Sequence, residues 1–192
     1  MSEGRLYYVM GPSGAGKDSV IGWVRAYGVS HDVLCAHRYI TRPADAGGEN
    51  HVALSEAEFV SRAHRGLFAL TWRAHGLHYG IGREIEYWLE RGVKVLVNGS
   101  REAYLQALER YPALQAVLIT ASRETMATRL TSRGRETSED IAARLARSDD
   151  YQVPTGAMVI HNDGELAEAG TALLGAITQS HRVDRISSPS KS

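Results

Sequence analysis

This 192-residue sequence predicts an α/β fold in three αβα layers, with a central parallel sheet and helices on both faces. Three observations carry that reading. Short apolar runs alternate with segments of helical periodicity along most of the chain. A glycine-rich loop joins the first apolar run to the first helical segment. Polar and cationic residues follow several of the apolar runs directly, where open parallel sheets bind ligands.

Composition narrows the classes of function. The 22 basic and 22 acidic residues balance, which argues against a general binder of nucleic acid or anionic membrane but allows a local basic pocket. No apolar run reaches the ~20 residues of a membrane span, and the start of the chain lacks an apolar signal core. The single cysteine, Cys35, has no internal partner for a disulfide, so a reducing cytoplasmic setting is expected. One domain is expected over residues 1–179. The stretch 180–192, rich in Ser with Pro and Lys, reads as a disordered polar tail.

In chain order, Leu6-Tyr7-Tyr8-Val9-Met10 reads as a strand and Val20, Ile21, Trp23 and Val24 mark a helix. Between them lies Gly11-Pro12-Ser13-Gly14-Ala15-Gly16-Lys17-Asp18-Ser19, with the G-x-x-x-x-G-K spacing of a phosphate-binding loop in its strand–loop–helix context. Small residues let successive backbone N–H groups converge on phosphate oxygens at the positive end of the helix. Lys17 adds a point charge there. The residue after the lysine is ordinarily Ser or Thr, whose hydroxyl binds Mg²⁺; here it is Asp18. Ser19 is no substitute, because one helical residue turns the side chain by about 100°. Asp18 therefore stands either as a metal-ligating carboxylate or as a negative charge that stabilises the helix N-terminus.

Val33-Leu34-Cys35-Ala36 reads as the second strand, and His51-Val52-Ala53-Leu54 as a short one. Ser55 and Glu58 form a capping box for a helix carrying Phe59 and Val60. Leu67-Phe68-Ala69-Leu70-Thr71-Trp72 and Leu77-His78-Tyr79-Gly80 are extended, and a helix with Ile85, Trp88 and Leu89 ends at Gly92. Val93-Lys94-Val95-Leu96-Val97 is a buried strand that ends at Asn98-Gly99-Ser100-Arg101; the helix through Tyr104, Leu105 and Leu108 stops before Pro112. Ala116-Val117-Leu118-Ile119 and Met158-Val159-Ile160 are further strands. Helices surround the arginine-rich segment 129–136, and another closes the chain. Between His37 and Arg83 the cationic or potentially cationic residues are dense: His37, Arg38, Arg42, His51, Arg73, His75, His78 and Arg83. As a cluster they suggest an anion site, because they follow the strand expected to neighbour the phosphate loop.

The phosphate loop, Thr41-Arg42-Pro43, Gly48-Glu49, Gly76-Leu77-His78-Tyr79-Gly80 and Arg129-Leu130-Thr131-Ser132-Arg133-Gly134 resemble the guanylate kinase family in the same order. Ala36-His37-Arg38-Tyr39-Ile40-Thr41-Arg42 and Val95-Leu96-Val97-Asn98-Gly99-Ser100-Arg101 resemble the ribose 1,5-bisphosphate phosphokinases more closely. The resemblance implies a P-loop NTPase fold, with a small acceptor-binding region over 37–83 and an arginine-rich lid over 129–147. It implies an enzyme that uses ATP with Mg²⁺ to convert ribose 1,5-bisphosphate to 5-phosphoribosyl 1-diphosphate, in a family associated with phosphonate breakdown. It also implies roles. ATP lies on residues 11–19 with Arg129 against the adenine. Lys17, Arg133 and Arg144 act on the transferring group. Arg38, Arg42, His51, His78, Tyr79 and Ser100 hold the acceptor, and Asp18 is the candidate metal ligand. Guanylate kinases place a glutamate before the G-x-x-Y-G segment and an acid after the central strand, where this chain has Leu70-Thr71-Trp72 and Asn98 with Ser100. Guanine presents N–H donors and calls for acceptors, so the loss of these acids favours a phosphorylated sugar over GMP. A GMP kinase, or a non-catalytic guanylate-kinase-like binding module, remains as the alternative.

Overall fold

The computed structural model describes residues 4–46, 49, 51–132, 137–149 and 152–186. Five parallel strands make the central sheet: β1 (Arg5–Met10), β2 (Val33–Cys35), β7 (Lys94–Asn98), β8 (Gln115–Thr120) and β9 (Met158–His161), in the order β2-β7-β1-β8-β9. A second, four-stranded sheet runs β4-β3-β6-β5, from β3 (Arg38–Ile40), β4 (Val52–Ala53), β5 (Phe68–Ala74) and β6 (Leu77–Gly82). Its β5–β6 and β3–β6 pairs are antiparallel and its β3–β4 pair is parallel. The central sheet is the parallel one that the alternation predicts. In the second sheet β4, β5 and β6 fall on the extended stretches expected; the additions are β3, three residues long and opening with Arg38, too short and polar to read as a strand, and the grouping of these strands in a sheet of their own.

Alternation along β1 explains the layering. Tyr7 and Val9 point into a core shared with α1 (Lys17–Tyr27), α5 (Arg123–Ser132), α6 (Ser138–Asp149) and α7 (Leu166–Ile186). Leu6, Tyr8 and Met10 point the other way. There they meet α3 (Glu84–Glu90), α4 (Tyr104–Arg110) and the inner face of the second sheet through Leu70, Trp72, Tyr79 and Ile81. A smaller cluster of Leu54, Phe59 and Phe68 sits under α2 (Glu56–His64), whose N-cap Ser55 accepts the Glu58 N–H as the capping box predicts. Among the described residues no helix is long and apolar enough to cross a membrane.

Register sets the position of the site. Val9 pairs with Asn98 and Met10 with Leu118, so the chain leaves β1, β7 and β8 at one edge. The second sheet covers one side of that edge. Of the tail expected over 180–192, residues 187–192 lie outside the described residues, and the part before them is helical. Helix α7 continues to Ile186, since the segment 181–186 holds neither Gly nor Pro and the breaker Pro189 comes only afterwards.

Candidate active site

A cavity of about 270 Å³ opens at the carboxyl edge of the central sheet. On one side lie Gly11, Pro12, Ser13 and Lys17 of the phosphate loop with Arg144 of α6; on the other lie Arg38, Trp72 and Tyr79 of the second sheet. The segment after β7, Gly99 to Glu102, closes a third side. Among the described residues of its lining, Lys17, Arg38, Arg101 and Arg144 outnumber the one carboxylate, Glu102, so the cavity attracts anions.

The loop is held in shape from beneath. Gly16 caps α1 at φ 80°, a conformation open to glycine at little cost, and a β-carbon there would run into the Asn162 amide. Asn162, buried just after β9, donates through Nδ2 to the Ala15 carbonyl at 2.8 Å. Its own N–H donates to the Thr120 carbonyl at 2.8 Å, which ties β8 and β9 to the loop. Gly14 also has a positive φ, of 87°, and packs beneath Met126 and Leu130 of α5. From the same helix Arg129 Nη1 reaches the Ala15 carbonyl at 3.5 Å. Arg144 Nη1 donates to Ser13 Oγ at 2.9 Å, which brings a basic residue of α6 onto the loop. Arg133 and Arg135 lie outside the described residues, as do Gly48 and the side chain of Arg147.

Asp18 and Asn98, the two positions singled out by their departure from the usual pattern, touch. Asn98 Nδ2 donates to Asp18 Oδ1 at 2.7 Å. The same carboxylate oxygen lies 4.0 Å from Lys17 Nζ and 3.8 Å from Arg38 Nη2, and the side chain is 41% exposed. Among the described residues no group of three metal-ligating side chains gathers here or elsewhere.

Arg38, on the wall that the second sheet forms, is anchored through several contacts. Its Nε donates to Glu49 Oε2 at 2.7 Å, and its Nη2 to Glu49 Oε1. Its guanidinium lies 5.3 Å from the Tyr79 ring centre, and Tyr79 stacks on Trp72 at 5.4 Å and 7°. Glu49 lines a separate hollow behind, with Asp18, Arg25 and Asn98. It engages two donors on one edge of a five-donor fork. Glu49 Oε1 also sits 3.7 Å from Arg42 Nη2, and its Oε2 accepts from Asn98 Nδ2 at 3.5 Å.

Not every expected acceptor residue enters this cavity. His78 and Tyr79 are neighbours on β6, so their side chains point to opposite faces. Tyr79 points into the cavity, while His78 points away, against Phe59 and 3.4 Å from Glu56. Arg42 and His51 form a unit further along: Arg42 Nη2 lies 3.3 Å from His51 Nδ1, and His51 Nε2 lies 3.3 Å from the Arg42 carbonyl. Arg42 and His78 line a different hollow, with Thr41, Pro43 and Glu56. Ser100 does line the cavity, but its Oγ is engaged by the Ala103 N–H at 3.2 Å. Arg101, which follows the strand ending at Asn98 and so stands at a carboxyl end where a ligand is expected, does line the cavity. Asn162 and Trp72 escaped the sequence reading: Asn162 had only a place after the last strand to mark it, and Trp72 stood in a predicted strand without the pairing that turns it inward.

No family model matches the chain. It is 53% identical over 180 residues to the ribose 1,5-bisphosphate phosphokinase PhnN of Chromobacterium violaceum, covering 94% of this chain and 97% of that one. It is 50% identical over 179 residues to the protein of the same name from Burkholderia pseudomallei, covering 92% and 97%. The chain belongs to the ribose 1,5-bisphosphate phosphokinase family. A further member, from Laribacter hongkongensis, is 56% identical over 171 residues, but this chain spans 42% of that longer protein. The fold is that of guanylate kinase from Anaplasma phagocytophilum (TM-score 0.67, 17% identity, 97% of this chain and 89% of that one). It also matches a gluconokinase from Sinorhizobium meliloti 1021 (TM-score 0.53, 19% identity, 98% and 100%).

Proposed function

We propose that this chain is a cytoplasmic kinase that transfers the γ-phosphoryl group of ATP to the 1-phosphate of ribose 1,5-bisphosphate. The products are 5-phosphoribosyl 1-diphosphate and ADP. The observation that carries this is identity near one half, over almost the full length, to relatives of that name. The site agrees with it. The cavity is lined by four permanent cations, and the positions by which guanylate kinases hold guanine carry Leu70, Thr71, Trp72 and Asn98.

A non-bridging oxygen of the 1-phosphate attacks the γ-phosphorus, and the bond from that phosphorus to the β,γ-bridging oxygen breaks. The attacking oxygen is already anionic near neutral pH, so no general base is needed. Catalysis is positioning and charge neutralisation. The backbone N–H groups of Ser13 to Lys17 and the Lys17 ammonium hold the β- and γ-phosphates. Arg144 sits on Ser13 and neutralises the transferring group, joined by Arg133 as residues 129–147 close as a lid over the single domain 1–179. Arg129 packs against the adenine. Arg38, backed by Glu49 and Tyr79, takes the 1-phosphate through its remaining donors; Arg42 and His51, outside the cavity, adjoin Glu49 behind it.

Asp18 fits a Mg²⁺ that keeps most of its waters, since the carboxylate is exposed and, among the described residues, no group of three ligating side chains forms around it. The ion, when bound, would neutralise charge on the ATP phosphates. In Asp18→Asn and Asp18→Ser the Mg²⁺ concentration for half-maximal ATP binding should rise, measured by calorimetry. An unchanged requirement in both would leave Asp18 as a charge at the α1 N-terminus. The function is tested by comparing kcat/KM for ribose 1,5-bisphosphate and for GMP in a coupled ADP-release assay. Strong turnover of GMP alone would overturn it.

A further inference from the structure

We propose that Arg101 and His75 form a second phosphate subsite, which grips the 5-phosphate of the acceptor while Arg38 holds the 1-phosphate. The inference rests on the reading of the acceptor above and concerns residues to which that reading gives no role. Both side chains line the same cavity as Lys17 and Arg38. They come from separate elements that converge: Arg101 from the segment after β7, His75 from the turn between β5 and β6.

Each is held in place by its backbone. Ser100 is clamped to the buried Tyr8, whose hydroxyl donates to the Ser100 carbonyl at 2.8 Å and accepts the Ser100 N–H at 3.1 Å. The Arg101 carbonyl accepts the Tyr104 N–H at 3.2 Å. Arg101 therefore projects from a fixed point. His75 and Gly76 form the two-residue turn that joins β5 to β6, with φ values of 51° and 76°. Glycine or asparagine suits such a turn better. A non-glycine residue at positive φ carries strain of a kind that gathers at functional sites. Here the strained residue sets an imidazole on the rim of the cavity.

The spacing fits one ligand with a phosphate at each end. Trp72 pairs with Tyr79, whose ring carries the Arg38 guanidinium. His75 is three residues beyond Trp72, on the order of 10 Å along an extended strand. A pentose carrying phosphates on its first and fifth carbons bridges such a gap once the side chains reach inward. Glu102 lines the cavity as well. As an acceptor it suits sugar hydroxyls, and beside Arg101 it leaves the cation in excess.

The test compares two acceptors, ribose 1,5-bisphosphate and ribose 1-phosphate, in wild type, Arg101→Ala and His75→Asn; asparagine preserves the turn. Wild type should prefer the bisphosphate. Arg101→Ala should raise its KM about 10- to 100-fold, the worth of a charge-assisted hydrogen bond, and leave the constant for ribose 1-phosphate unchanged. His75→Asn should act in the same direction with smaller size. Where turnover of ribose 1-phosphate is slow, its inhibition constant against the bisphosphate gives the same comparison. Equal losses on both acceptors, or an unaltered preference, would overturn the subsite while leaving the kinase assignment standing. A wild-type protein that uses neither acceptor would overturn the assignment itself.

Discussion

The phosphate loop between β1 and α1 and the acceptor wall carried by β3, β5 and β6 face each other across one cavity, yet they are built from different materials. The loop presents backbone N–H groups from a contiguous run, and the shape of that run is fixed by buried neighbours such as Asn162, Met126 and Leu130. The acceptor wall presents side chains from three strands, and their aim is fixed by counter-ions and ring stacking: Glu49 behind Arg38, Tyr79 against it, Trp72 against Tyr79. A backbone site tolerates little change of shape, whereas a side-chain site tolerates little change of charge. The same fold can therefore keep its donor end and rewrite its acceptor end.

This contrast can be broken most sharply at Lys17. Lys17→Ala should lower kcat by on the order of 10²- to 10³-fold, the usual cost of removing one preorganised charge-stabilising donor. The thermal midpoint should hold, since the side chain lines an open cavity. Removing the support beneath the loop should look different. Asn162→Ala deletes the donor to the buried Ala15 carbonyl and should destabilise the fold by about 1–3 kcal/mol, seen in urea unfolding, with a rise in KM for ATP. On the acceptor side, Glu49→Gln keeps the shape and removes the charge behind Arg38. It should raise the acceptor KM roughly 10-fold, as expected for weakening a charge-assisted pair, without moving the KM for ATP or the unfolding midpoint. Equal effects on both substrates would mean that the two ends are not separable. The smallest effect concerns Cys35, whose thiol burial pushes up to about 11. At pH 8 it should resist alkylation in the folded protein and react only as urea unfolds it, followed by mass spectrometry. Rapid labelling of the native state would show that the core beneath α1 opens.

The same contrast explains what was legible in the sequence. The donor end could be read because its chemistry sits in nine consecutive residues, Gly11 to Ser19, flanked by an apolar strand and an amphipathic helix. The parallel strands could be read because each carries a short apolar run, buried through most of its length in β1, β7 and β8. Three strands of the second sheet could be read too, but not β3, which is short and opens with a charge, nor the pairing that joins β3 to β6 about forty residues away and sets these strands in a sheet of their own. Which side chains share the cavity depended on strand parity, and parity separates Tyr79 from His78 although both belong to one quoted motif. Glu49 stood in that reading only as part of a motif, because its role depends on Arg38 and Asn98 coming to it from β3 and β7.

The most direct test of the central claim, that the cation-lined acceptor wall serves a sugar phosphate, is phosphorus NMR of the purified protein with ATP, Mg²⁺ and ribose 1,5-bisphosphate. The account predicts that the 1-phosphate resonance gives way to the coupled pair of a diphosphate ester, with the 5-phosphate retained and ADP formed in equal amount. An unchanged 1-phosphate signal, with GDP formed when GMP is supplied instead, would contradict it.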